Sequence, residues 1–185
     1  MNNTLAFIGA KLNQEKVTWA VGASILLNYH GLIDAPHDID LLVSLEDIEK
    51  VDVLLSRLGE KLRREKTDNY STEYFYEYEI NGVDIDVMSG LKINFEGGTF
   101  SYAFDSSSVA EVIKISDVDI PLMSLEDWFV IYQLIPNREV KVNLIETYFI
   151  EHGLKNPQIL EKALTSDLPQ GVRTRIKRVM GGGDS

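Results

Sequence analysis

Asp38-Ile39-Asp40 is the stretch that most limits what this chain can become. On an extended segment, residues i and i+2 project from the same face, so the two carboxylates stand a few ångströms apart. The residues around them are apolar, Ile39 and then Leu41-Leu42-Val43, which predicts a central, mostly buried strand over Asp38 to Val43. At about 4 Å and an effective dielectric of about 20, two such charges repel by roughly 4 kcal/mol. Solvent alone offsets this poorly in apolar surroundings, and a divalent cation is the natural remedy. Magnesium takes one or two carboxylates and completes its shell with water and substrate phosphates.

The residues before that strand supply a second element. Thr18-Trp19-Ala20-Val21 is a short β-type run ended by Gly22, and Ser24 to Tyr29 reads as a helix that stops at Gly31. Gly22-Ala23-Ser24 is therefore a small-residue turn entering a helix. Backbone N–H groups there can approach a phosphate, with the Ser24 hydroxyl as a further donor. Taken alone, the same glycine does no more than permit a tight turn.

A second acidic pair, Asp84-Ile85-Asp86, lies much further along. Val83 to Met88 sets Val83, Ile85 and Val87 on one face and Asp84 and Asp86 on the other. It is joined to the run Tyr74 to Ile80 through Asn81-Gly82, the strongest short hairpin signal in the chain. Asp86 is the better candidate ligand of the two, because it lies deeper in the strand. Asp117-Val118-Asp119 repeats the local pattern beside a turn and reads as structural.

The remaining punctuation predicts the organisation. Leu5 to Leu12 has helical spacing. Ser44-Leu45-Glu46-Asp47 resembles a capping box with Ser44 as the cap, ahead of a helix with Leu45, Ile48, Val51, Leu54, Leu55 and Leu58 on one stripe. Gly97-Gly98 and Ser116-Asp117 mark two more hairpins. After Pro121 the periodicity turns helical, with Ser124-Leu125-Glu126-Asp127 repeating the capping signature. Helices are expected through Leu134, over Glu139 to His152, over Pro157 to Leu164 and over Val172 to Met180. The expected division is an α/β core over 1–121, a helical region over 122–180 and a mobile tail over 181–185. Trp128, Phe129 and Tyr132 read as helix core, and the tyrosines from Tyr70 to Tyr78 as cover for a sheet face. Arg173, Arg175, Lys177 and Arg178 read as a solvated basic face.

Composition narrows the function. A formal net charge of −11 disfavours an extended nucleic-acid footprint. The absence of cysteine removes disulfides, thiolate metal sites and cysteine nucleophiles. With no secretory leader pattern and no apolar run of membrane-spanning length, the expectation is a cytoplasmic protein.

Taken in order, these elements resemble the nucleotidyltransferase superfamily with the polymerase-beta-like fold, in particular its small bacterial antibiotic- and antitoxin-type members. The matching residues are Val21-Gly22-Ala23-Ser24, then 13 residues, then Asp38-Ile39-Asp40, and later Asp86 within Val83 to Val87. Ile120 to Asp127 looks like the junction between sheet and helices in those proteins, and Arg138-Glu139-Val140-Lys141 like the basic segment that follows. The resemblance implies an α+β fold with a mixed-sheet core, flanking helices and a small C-terminal helical region. It implies magnesium, one ion or two, on Asp38, Asp40 and Asp86. Gly22, Ala23 and Ser24, with Arg138 and Lys141, would bind the nucleotide. The reaction implied is transfer of a nucleoside monophosphate from ATP or another NTP to a hydroxyl, with a small molecule as acceptor. There are departures from the pattern: Ala23 stands where Gly or Ser is commoner, and Asp34-Ala35-Pro36-His37 lacks the basic residue and threonine often found before the first acid. Three alternatives stay open: a variant modifying protein or RNA, a nucleotide-binding or regulatory module with weak or lost catalysis, and a structural α+β protein with merely exposed acids.

Overall fold

The computed structural model describes residues 1–64 and 67–181. The expected mobile tail therefore lies, beyond Gly181, outside the described residues. In chain order the helices are α1 (Asn2–Gln14), α2 (Ala23–Tyr29), α3 (Ile48–Leu55), α4 (Leu125–Leu134), α5 (Glu139–His152), α6 (Pro157–Leu164) and α7 (Gln170–Val179). The strands are β1 (Trp19–Val21), β2 (Ile39–Val43), β3 (Glu60–Leu62), β4 (Tyr74–Ile80), β5 (Val83–Ser89), β6 (Leu91–Phe95), β7 (Gly98–Tyr102), β8 (Glu111–Ile115) and β9 (Val118–Leu122). No helix among the described residues is long and apolar enough to cross a membrane.

Seven strands make one mixed sheet in the order β3-β4-β5-β2-β1-β9-β8, and β6 and β7 pair separately. The fold is thus α+β with a mixed sheet, as the sequence predicts. Two hairpin turns are settled locally. Asn81 and Gly82 both have positive φ, 54° and 69°, as do Ser116 and Asp117, 49° and 64°. That is the turn whose twist suits two antiparallel strands. Non-local pairing sets the centre of the sheet. β2 runs antiparallel to β1 and parallel to β5, and β1 runs parallel to β9. The apolar residues of these central strands, Ile39, Leu41, Val43, Ile85 and Val87, are fully buried. They belong to one continuous core that also takes in α1 and α4.

α4 is buried on nearly every side; only Gln133 is partly open among Leu125–Leu134. Its run Trp128 to Tyr132 is apolar or aromatic without a break and must be covered all round; α4 touches α2, α5, α6, α7 and β6.

The two capping signatures part company here. Ser124 caps α4, accepting from the Asp127 N–H at 2.9 Å. Ser44 does not cap α3: residues 44–47 form a separate turn, Asp47 is the N-cap, and Leu45 is 51% exposed and outside the helix. The physical reason is that Asp47 is claimed from elsewhere. Its Oδ2 accepts from the Thr18 backbone N–H at 2.8 Å and from the Ser44 hydroxyl at 2.9 Å, tying the entry of β1 to the exit of β2.

The basic terminal helix also differs from expectation. Arg175 and Arg178 donate to Glu146 of α5, each through Nε at 2.8 Å, and Arg175 also pairs with Glu139 at 2.7 Å. Arg173 donates to the carbonyls of Leu164, Ser166 and Leu168. These cations clasp α7 to its neighbours because Glu146, on the buried side of α5, needs partners.

Replacing Ser124 by Ala should cost about 1–2 kcal/mol, whereas Ser44→Ala should cost less than about 0.5 kcal/mol. Urea denaturation of the two variants measures both.

Candidate active site

The parallel register of β2 and β5 makes Asp40 and Asp86 partners. Their side chains leave the same face side by side, and Asp38 stands two residues earlier on that face. One carboxylate oxygen from each lies within 4.8 Å of the others. On the next strand Glu77 is the partner of Asp86, and the Arg64 Nε pairs with it at 3.2 Å.

This crowding is costly without a cation. Burial first, then the charges of Asp38 and Asp86, push the Asp40 carboxyl well above its ordinary range, while Lys141 and Arg138 pull it down. Asp86 is pushed up to about 7, by burial first and then by Glu77 and Asp38, with Arg64 opposing. The three candidate ligands are all carboxylate oxygens, close together and partly buried, the hard donor set that suits a magnesium-type ion.

The turn at 22–24 borders the acids and is bound to them. The Gly22 N–H donates to the Asp40 carbonyl at 3.1 Å. The Ser24 hydroxyl, on a residue 1% exposed, donates to Asp38 at 2.9 Å from Oδ1 and 3.2 Å from the carbonyl oxygen. It therefore does not stand open to a ligand. Nor does Gly22 serve a tight turn: its φ is −128°. What excludes a side chain there is Trp128, whose Nε1 would lie 2.1 Å from a Cβ at Gly22. The left-handed residue is Ala23, at φ 46°, a conformation costing an L-residue roughly 1–2 kcal/mol.

Ala23, Arg138 and Lys141 line one cleft with the three acids, about 90 Å³ in enclosed volume. Arg138 immediately precedes α5 and Lys141 lies in its first turn. Burial, and then the charge of Arg138, lower the Lys141 ammonium pKa. Tyr70, Phe75, Trp128 and Tyr132 form the aromatic walls. Trp128 and Tyr132 are core residues of α4, 3% and 2% exposed, as their helical spacing predicts, and the same rings border the cleft; that a core ring also edges a cleft is not written in its spacing. Larger cavities, about 410 and 320 Å³, share no residue with this cleft.

No protein-family model and no curated protein sequence matches the chain. Solved structures do. TM1012 from Thermotoga maritima, a nucleotidyltransferase by assignment, superposes with a TM-score of 0.61 at 24% identity, over 81% of this chain and 92% of that one. This chain has the nucleotidyltransferase fold. ANT(2″)-Ia, solved in complex with adenylyl-2″-tobramycin, matches with a TM-score of 0.53 at 13% identity, over 94% of this chain and 93% of that one. The lincosamide antibiotic adenylyltransferase LnuA, solved with lincomycin, matches with a TM-score of 0.54 at 16% identity, over 79% and 96%. In this chain Asp40 and Asp86 lie on two adjacent central strands, Asp38 immediately precedes the first of them, and Arg138 and Lys141 come from the helical part.

Metal-free protein should lose stability as pH rises. Folded Asp86 keeps its proton to about pH 7, whereas an unfolded Asp releases it near 4. Between those values the folded state binds more protons, so the unfolding free energy falls with rising pH; Asp40 acts in the same direction. In chelator, the melting temperature should drop from pH 5 to pH 8, and Asp86→Asn should flatten the drop. Gly22→Ala should destabilise by at least about 1–3 kcal/mol by driving a methyl group into the Trp128 ring, measured by the same melting experiment at one pH.

Proposed function

We propose that this chain is a metal-dependent nucleotidyltransferase that moves a nucleoside monophosphate from an NTP, such as ATP, to a hydroxyl of a small molecule. One observation carries this above the others: Asp38, Asp40 and Asp86 meet in a cleft that Arg138 and Lys141 also line. The three acids would hold magnesium, one ion or two, which when bound polarises the transferred phosphate and neutralises the departing pyrophosphate.

The chain's own residues do the positioning. Arg138 and Lys141 meet phosphate charge. Tyr132 steadies Lys141, whose ammonium lies 3.4 Å from the Tyr132 hydroxyl and 5.1 Å from the ring centroid. Ala23 presents the 22–24 turn to the same cleft. The aromatic walls place apolar surface beside the acids, which strengthens the charge interactions there. Such a transfer depends mainly on orientation and charge neutralisation. The enclosed 90 Å³ suits ions and phosphates and is far below the roughly 300–1,000 Å³ of a whole-ligand pocket, so base and acceptor would extend over the open rim.

Two things support a small acceptor. The net charge of −11 disfavours a nucleic-acid partner, and the similar folds of ANT(2″)-Ia and LnuA were solved with an adenylylated tobramycin and with lincomycin. A module that binds nucleotide with weak or lost catalysis is the second reading, favoured by the uncharged approach Ala35-Pro36 and the absence of Lys or Arg between Asp34 and His37.

ATP or another NTP should raise the melting temperature only when magnesium is present, and Asp38→Asn with Asp40→Asn should abolish the shift while leaving the metal-free fold intact or more stable. An unchanged melting curve at saturating magnesium and nucleotide would sink both readings. Pyrophosphate release across small-molecule, protein and RNA acceptors then separates the enzyme from the binding module.

A further inference from the structure

We infer that Ser24 is a positioning residue for the metal centre, acting through Asp38, and that the 22–24 turn is a clamp on the acidic strand instead of a side-chain phosphate ligand. This rests on the metal-site reading above. The clamp has two jaws, one on β2 and one on the residue just before it. The Gly22 N–H holds the Asp40 carbonyl at 3.1 Å, and the Ser24 hydroxyl holds the Asp38 carboxylate at 2.9 Å. Each acid of the Asp-Ile-Asp pair is thus gripped once by the turn. The turn is in turn braced from behind. Trp128 lies against the Cα of Gly22, and its own indole N–H is fixed on the Met123 sulfur at 3.3 Å. Ala23, between the jaws, is left-handed and 5% exposed. Strained backbone of this kind persists where surrounding contacts over-determine it.

The chemistry of a hydroxyl makes the two roles of Ser24 compete. A serine has one proton to donate. That proton is already shared between two oxygens of Asp38, and a phosphate, offering acceptor oxygens, would have to draw it away from them. Ser24 is almost fully enclosed, and both acceptors within its reach belong to Asp38. Fixing the carboxylate before the ion arrives lowers the ordering cost of metal binding. Partners of this outer kind typically change metal affinity by 10–100-fold when removed.

Ser24→Ala separates the roles. Mn²⁺ binding to nucleotide-free protein, followed by electron paramagnetic resonance with Mg²⁺ as competitor, should weaken by about tenfold or more. The affinity for a non-hydrolysable ATP analogue at saturating Mg²⁺ should stay within about twofold. Ser24→Thr, which keeps the hydroxyl, should restore metal affinity. If Ser24→Ala does not fold, Ser24→Cys, with its weak thiol donor, is read in the same way. Unchanged metal affinity, or a loss confined to the nucleotide analogue, overturns the positioning role and leaves the nucleotidyltransferase reading standing. Failure of the unaltered protein to bind Mn²⁺ overturns both.

Discussion

The parallel pairing of β2 with β5 is the constraint on which the rest depends. It sets Asp40 beside Asp86 and forces like charges together on strands whose other faces are fully buried. Neither strand can slip by one residue to relieve the repulsion, because that would turn Ile39, Leu41, Ile85 and Val87 out of the core. The apolar packing of the sheet thus maintains an electrostatic arrangement that is unfavourable without a cation. That is the form a preorganised charge-binding site takes.

α4 links this sheet to the remainder of the chain. It is buried on nearly every side, with even its acids Glu126 and Asp127 enclosed, and that burial brings three functions to one helix. Trp128 braces the glycine turn, Tyr132 steadies Lys141, and the Ser124 cap holds the helix start. The cations that face the acids arrive only through this packing, since Arg138 and Lys141 follow α4 by a short break at Pro136-Asn137. There they line the same cleft as the three acids.

Where expectation and structure differ, the cause is each time a partner distant in sequence. Ser44 and Ser124 head identical local signatures, yet Thr18 claims Asp47 and only the second becomes a cap. Arg175 and Arg178 look like solvated charges until Glu146, about thirty residues earlier, turns out to be buried beneath them. Gly22 looks like a turn glycine, but its backbone is ordinary and the indole of Trp128 is what excludes a side chain.

From the sequence alone came the element types, the hairpin turns, the mixed α+β character and the two acidic pairs, Asp38 with Asp40 and Asp84 with Asp86. Those follow from local rules: side-chain period, turn chemistry and the repulsion between carboxylates two residues apart. Tertiary structure decided which strands are neighbours, and hence that Asp86 and not Asp84 stands with Asp38 and Asp40. It also decided that the Ser24 hydroxyl faces an acid and that four aromatic rings wall the cleft. Contact between residues a hundred positions apart depends on how helices and strands stack, and periodicity along one element carries no record of what it will meet.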